Sequence, residues 1–407
     1  MKVLLINRSD SLGGAAVASR RLMNALVGQG IDARMLVVDR RTDDKRVTAV
    51  GSKMTNKYNF MAERLGIFAR NGMNRSTLFM IDNASHGLDL SRNPMVRDAD
   101  VIVLNWINQG MMSLKDIERL CNTGKPVVWT MHDMWNCTGV CHHAGECRRY
   151  ESECRECPLT GKHGKDLSTG VQQAKAKLYS SCGIHFVAVS NWLEQCCRHS
   201  SLMRDCDISV IGNPFPTADF QCDHQSGFGP DTRVIAMGAA RLDDPIKGFD
   251  LLIDTTRYIA NEMPDLASRL HLLLYGNLRD ESLLGQIGIP YTHLGYINDV
   301  RDVYRQADIV LSTSRCESFG YTLLEGMASG CVPVTTGTGG QPDIVKHLVN
   351  GYVTADRTTA QMARGIEWAV GNAPARETQH QWVLDNFNAS IVAAKYIELF
   401  NRITNKK

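Results

Sequence analysis

The sequence contains no stretch of about eighteen uncharged apolar residues, so none of its helices is expected to span a bilayer. Net charge is nearly missing too: 45 Lys and Arg against 43 Asp and Glu leave +2. That excludes recognition by neutralising many phosphates, and no nucleic-acid partner is expected. No G-x-G-x-x-G follows the first apolar segment, which sets aside a dinucleotide-dependent oxidoreductase. No D-x-D pair stands at a strand end to hold a divalent ion between phosphates, and no repeat of solenoid length is present. No secretory leader is expected either. MKVLLINRSD offers only about five apolar residues and reads as a first strand, so a cytoplasmic protein is expected.

What is present is a long chain, 407 residues with 43% hydrophobic content, which by size predicts two domains. A β–α rhythm runs through residues 2–7 (strand), 16–30 (helix, with Val17, Leu22, Leu26 and Val27 on one side), 33–39, 98–106, 111–122 (helix), 125–133 and 185–192. After the polar, turn-rich segment 221–232 the rhythm restarts with strands at 232–240, 269–276, 308–314 and 330–336 and helices at 248–263 and 299–307. Strands that are near-continuous apolar runs, separated by helices, predict parallel sheets covered on both faces. The class is α/β, with two doubly wound halves facing across a cleft.

Ligands of such sheets bind outside the carboxyl ends of the strands, where the candidate residues lie. In STSRCESFGYTLLEGMASGCVPVTTGTGGQPDIV (312–345), Glu317 occupies a loop and Phe319, Gly320 and Tyr321 open a helix whose first amides attract phosphate. Glu325 follows early in that helix. Two carboxylates so spaced suit sugar hydroxyls; alternatively, Glu317 caps the helix and Glu325 is solvated. In MGAARLDDPIKGFDLL (237–252), Arg241 and Lys247 bring two cations to a strand end, as a diphosphate requires. SDSLGGAAVASRRL puts Gly13 and Gly14 between the first strand and a helix, where a ligand can approach the backbone. TMHDMW ends a strand with His132 and Asp133.

HDMWNCTGVCHHAGECRRYESECRECP (132–158) holds five of the thirteen cysteines. Cys141, Cys147, Cys154 and Cys157 follow C-x5-C-x6-C-x2-C, a spacing that ends in the short loop able to give two thiolates to one tetrahedral ion. A structural zinc is favoured over disulfides, which a reducing compartment opposes, and over a redox C-x-x-C. His142, His143 and His163 are rival ligands. The segment reads as too short and polar for a core of its own, and the remaining cysteines, including Cys196 and Cys197, read as small buried apolar residues.

Together, the Arg–Lys-Gly and E-x7-E segments resemble the donor half of retaining glycosyltransferases of the GT-B fold, family 4. DADVIVLNWINQGMMSLKDIERL, KPVVWTMHDMWNCTGVC and CRECPLTG resemble the subgroup that builds bacterial exopolysaccharide, colanic-acid-type, capsule or lipopolysaccharide chains. The resemblance implies two Rossmann-like domains. One, acceptor-side, comprises 1–215 and 388–407 with a Cys-rich insert at 137–163; the other, 216–387, takes the donor. It implies that Arg241 and Lys247 hold the diphosphate of a UDP- or GDP-type sugar, Glu325 the ribose, and that Glu317 with Phe319, Gly320 and Tyr321 lies beside the transferred sugar. Tyr275, Gly276 and Asn277 would line the nucleotide pocket, the Gly13–Gly14 loop would reach the phosphates, and His132 would contact the sugar. Chemistry without a catalytic metal is implied as well. Asn105 replaces the subgroup's usual histidine before tryptophan, and Cys137 its usual aromatic.

The expected acceptor is a glycan or a lipid-linked sugar. KYNFMAERLGIFARN (57–71) has Tyr58, Met61, Leu65 and Phe68 on one helical face; packing on the core is favoured, with attachment to the inner membrane face as the alternative. Residues 380–403 form an amphipathic stretch expected to return to the first domain. The rival functions are a non-catalytic sugar-nucleotide-binding or zinc-scaffold protein and an epimerase on the same fold.

Overall fold

The computed structural model describes residues 1–160 and 167–405, so His163 lies outside the described residues. The first unit comprises Met1–Pro214 with Ala389–Lys407, the second Phe215–Asn388. Along the first run β1 (Lys2–Ile6), α1 (Gly14–Gly28), β2 (Asp32–Val37), β3 (Val47–Ala49), α2 (Lys53–Arg70), α3 (Pro94–Asp98), β4 (Val101–Leu104), α4 (Leu114–Cys121), β5 (Val127–Met131), α5 (Leu167–Ser181), β6 (Ile184–Ala188), α6 (Asn191–His199) and β7 (Ile208–Val210). The second has β8 (Arg233–Arg241), α7 (Phe249–Glu262), α8 (Pro264–Ala267), β9 (Leu270–Asn277), β10 (Tyr291–His293), α9 (Arg301–Gln306), β11 (Ile309–Ser312), α10 (Tyr321–Ala328), β12 (Val332–Thr336), α11 (Gln341–Ile344), β13 (Tyr352–Thr354), α12 (Thr359–Asn372) and α13 (Arg376–Phe387). The chain then re-enters the first unit as α14 (Ala389–Thr404).

The seven-stranded sheet has the order β3-β2-β1-β4-β5-β6-β7 and the six-stranded sheet β10-β9-β8-β11-β12-β13, with parallel pairing in both. The strand order reverses between β1 and β4 and between β8 and β11, which puts the loops after those strands at the position where such sheets take ligands. VIVL, VVWTM and IHFVA are buried at every residue, as strands covered by helices on both faces must be. Ser113 and Asp116 form a reciprocal capping box that starts α4.

Several expectations need correction. On α1 the buried side includes Ala16, Ala18, Leu22, Met23 and Leu26, while Val27 is exposed, because its position turns it away from the sheet. The 380–403 stretch is two helices, α13 and α14, broken at Asn388; Val392, Ala393, Tyr396, Leu399 and Phe400 of α14 join the first unit's core. The cysteine segment does share a small apolar cluster, Val140 packing with Ile67, Ile81, Leu167 and Val171. Cys182, Cys196, Cys197 and Cys331 are buried as expected, but Cys121, Cys206 and Cys222 are partly exposed. The largest departure is α2. It buries Asn59, Glu63, Arg64 and Ile67 and turns Met54, Tyr58, Met61 and Leu65 outward, so the face expected on the core is the solvent face.

Candidate functional site

In the second unit β8 delivers Arg241 to its carboxyl end, and a 3-10 turn capped by Asp244 carries Lys247. The Lys247 Nζ is 2.8 Å from Glu317 Oε2. Arg241 is paired with Asp243 at 3.4 Å and Asp244 at 3.2 Å. Both cations are therefore held by carboxylates. The turn is fixed to the β11 loop by Arg315 N–H donating to Ile246 O at 2.7 Å and Thr313 Oγ1 to Lys247 O at 3.0 Å.

Gly320 has φ 115° and, as N-cap of α10, offers no side chain to the first turn. Glu317 is thus not a cap; its side chain goes to Lys247. The loop that carries it leans on Gly339, whose φ is 68° and whose Cβ, if present, would lie 2.0 Å from Glu317 O. Gly340 N–H donates to that same carbonyl at 2.8 Å. Buried Gln341 donates to Ser312 Oγ at 2.6 Å and accepts from Thr335 Oγ1 at 2.6 Å, joining the ends of β11 and β12. These glycine and glutamine contacts were missed from sequence, although the GTGGQ run was the available signal.

Tyr275 is buried, its ring laid over Gly238 and its hydroxyl 2.5 Å from that of Tyr304, so it supports the floor of β8 and β9 rather than an open wall. Burial, and then the charge of Glu325, push its phenol up, which places Glu325 near this floor. Gly276 at φ 122° lies against Ala239 O, where no side chain fits, and Asn277 ends β9 exposed. Phe319 is buried, edge-on to Tyr321 and Phe387.

In the first unit Gly13, at φ 89°, caps α1 and Gly14 begins it; both are exposed. His132 follows β5. Its Nε2 is 3.1 Å from Asn105 Oδ1, so the amide oxygen accepts and the proton sits on Nε2. Burial lowers the His132 pKa to about 4, making the ring neutral near pH 7 with Nδ1 as an acceptor. Asp133 Oδ1 accepts from Trp135 N–H at 2.8 Å, and Oδ2 accepts from Trp106 Nε1 at 3.0 Å and lies 2.8 Å from His142 Nδ1. Burial opposes its ionisation, but the His142 charge and hydrogen bond outweigh it and hold the carboxyl well below the usual range.

His142 Nε2 is 2.6 Å from buried Asp82 Oδ2, so this imidazole lies between two carboxylates. Asp82 also pairs with buried Arg64 of α2, whose guanidinium donates to Leu78 O at 2.6 Å. His142 is therefore committed to carboxylates and not to a metal. The chain Arg64–Asp82–His142–Asp133 joins residues far apart in sequence, and no local spacing announced it.

Cys141, Cys147, Cys154 and Cys157 line one cavity of about 20 Å³. Burial pushes the Cys141 thiol up to about 12 and that of Cys154 up to about 11. Cys154 Sγ accepts Gly139 N–H at 3.2 Å, a contact that favours a thiolate. Among the described residues no three His, Cys, Asp or Glu are arranged to hold an ion. The donor set fits zinc in kind and shares a cavity, but its present arrangement is not closed around one point. Beneath it, buried Lys175 donates to Thr138 O at 3.1 Å and Gly139 O at 3.0 Å and lies 3.4 Å from the centre of the Trp135 ring.

Residues 232–372 match the sequence family described as Glycosyl transferases group 1. Escherichia coli K12 WcaC, a putative colanic acid biosynthesis glycosyl transferase, is 22% identical over 82% of each chain. An uncharacterised glycosyltransferase of Methanocaldococcus jannaschii, MJ1607, is 32% identical over 30% of this chain, and the match spans 33% of that protein. Mannosylfructose-phosphate synthase of Agrobacterium fabrum is 37% identical over 26% of each chain, so the matched part is about a quarter of that relative. Among solved structures, a glycosyltransferase of Rickettsia africae aligns over 100% of this chain and 99% of its own with TM-score 0.66 and 14% identity. Anabaena Alr3699/HepE in complex with UDP and glucose aligns over 98% and 99% with TM-score 0.63 and 16% identity. The two parallel-sheet α/β units are those of the GT-B fold.

Proposed function

We propose that this protein is a retaining glycosyltransferase of family 4. It moves a sugar from a UDP- or GDP-type nucleotide sugar to a glycan or lipid-linked acceptor in bacterial surface polysaccharide assembly. The reading is carried by the Lys247–Glu317 pair beside Arg241, at the ends of β8 and β11 and next to the uncapped start of α10. Arg241, Lys247 and the first amides of α10 stabilise charge on the departing diphosphate, and these fixed donors make the reaction independent of a catalytic metal. Glu325 takes the ribose. Glu317, released from Lys247 as phosphate takes its place, faces the sugar. Neutral His132 accepts from a sugar hydroxyl through Nδ1, and Gly13 and Gly14 let the ligand near the backbone. The complex of HepE with UDP and glucose supports a nucleotide-sugar donor. Cys141, Cys147, Cys154 and Cys157 would hold a structural zinc that ties down the loop beside His132, and the protein works in the cytoplasm, at the inner face of the membrane.

The test is thermal unfolding with a panel of UDP and GDP sugars, followed by transfer assays with the sugar that protects. One donor is expected to raise the midpoint, because it binds only the native state. Lys247→Ala is expected to lower kcat/KM by about 10²–10³. Protection without transfer or hydrolysis would favour the non-catalytic binder, and interconversion of the free nucleotide sugar the epimerase.

A further inference from the structure

α2 is inverted. Its polar side chains Asn59, Glu63 and Arg64 face the protein, while Met54 (84% exposed), Tyr58 (66%) and Leu65 (60%) face outward with Met61. Positions 54, 58, 61 and 65 make a single helical stripe, and the eighteen-residue helix extends for about 27 Å. Phe79, 58% exposed, lies off this stripe, its ring packing on Phe60 and against the Arg64 guanidinium at the flank of α2. A soluble helix ordinarily has the opposite arrangement, and a contiguous exposed apolar surface marks an interface.

The charge around this surface selects its partner. From Lys53 to Met80 the exposed charged residues are Lys53, Lys57, Arg70 and Arg75, all cationic; the segment's one acid, Glu63, is fully buried. Two copies meeting through this face would oppose like charges across a twofold axis. An anionic lipid surface instead complements the cations and receives the apolar stripe in its outer layer.

We propose that the outward face of α2 is a docking surface for an anionic bilayer, which seats the first unit where a membrane-resident acceptor is found. The helix is tied to the strand-end residues. His142 N–H donates to Met80 O at 3.2 Å, Asp82 N–H donates to Val140 O at 2.9 Å, and Arg64 on the inward side of α2 pairs with Asp82. The helix that carries the lipid face is thus tied through Arg64 and Asp82 to the loop that holds His142 and Asp133. The inference deepens the membrane-face reading given above.

Flotation of the full chain with vesicles tests it without any sugar nucleotide, so failure here is separable from failure of the transferase reading. Vesicles of phosphatidylglycerol and phosphatidylethanolamine are expected to bind the protein at least tenfold better than pure phosphatidylcholine, and 0.5 M salt is expected to weaken that binding. Leu65→Asp and, separately, Tyr58→Ser with Met61→Ser are expected to reduce it tenfold or more with unchanged circular dichroism. Lys53→Glu with Lys57→Glu should abolish the preference for anionic lipid. Equal binding of both vesicle types, undiminished binding of the variants, or a dimer in sedimentation that Leu65→Asp converts to monomer would overturn the proposal.

Discussion

His132 shows what one residue's surroundings decide. The amide oxygen of Asn105 accepts from Nε2, and burial lowers the His132 pKa to about 4. An unfolded histidine titrates near pH 6.5. Between those values the unfolded chain binds the extra proton, so stability is full above about pH 6.5 and falls as pH drops toward 4, by roughly 3 kcal/mol at the limit. Urea midpoints from pH 7 to pH 4 should show this slope, and His132→Gln should flatten it. Parallel profiles for the two proteins would refute the assignment. The importance of His132 could be seen in the sequence because it ends an apolar strand. Its partners could not, since Asn105 lies just past the end of the neighbouring β4 and the Asp82–His142–Asp133 bridge spans sixty residues.

Elements differ in how clearly sequence declares them. β1, β4, β5, β6 and β11 are apolar runs buried on both faces, and periodicity finds them. β3, β7, β10 and β13 have three residues each, too few for a pattern. Amphipathicity located α2 but not its orientation, because the hydrophobic stripe is the same whichever side the protein covers. The GTGGQ loop drew no reading of its own from sequence, yet its geometry is specific. Gly339→Ala would require φ near 68° and a Cβ 2.0 Å from the Glu317 carbonyl. The expected result is displacement of Glu317 from Lys247, with kcat falling tenfold or more and a stability loss of about 1–3 kcal/mol; kinetics and denaturant midpoints check both. The cysteine loop makes the complementary case. If zinc draws its four sulfurs together, purified protein should carry about one zinc per chain, and Cys154→Ser or chelation should lower the melting temperature. Protein that is folded and reduced yet free of zinc would remove the metal from the account.

At the scale of the whole molecule, the decisive feature is that the first unit is completed by the last helix. Val392, Ala393, Tyr396, Leu399 and Phe400 of α14 are buried among Leu22, Leu26, Val103 and Val128, and Tyr396 Oη lies 3.0 Å from Thr130 Oγ1. At about 1.5–3 kcal/mol for each large apolar side chain, the Val, Tyr, Leu and Phe of this helix contribute roughly 6–12 kcal/mol. That is comparable with the whole stability of a domain, about 5–15 kcal/mol. Ending the chain after Asn388 should therefore unfold the first unit while the second, whose core draws on residues 235–369, keeps its structure. Calorimetry of the truncated chain should lose one unfolding transition, and hydrogen exchange should find β1, β4 and β5 unprotected but β8, β9 and β11 protected. Nucleotide should still raise the remaining transition if the residues at the ends of β8, β9 and β11 suffice to bind it. Protection of β1, β4 and β5 without α14 would show that the returning helix is an accessory of the first unit and not part of its core.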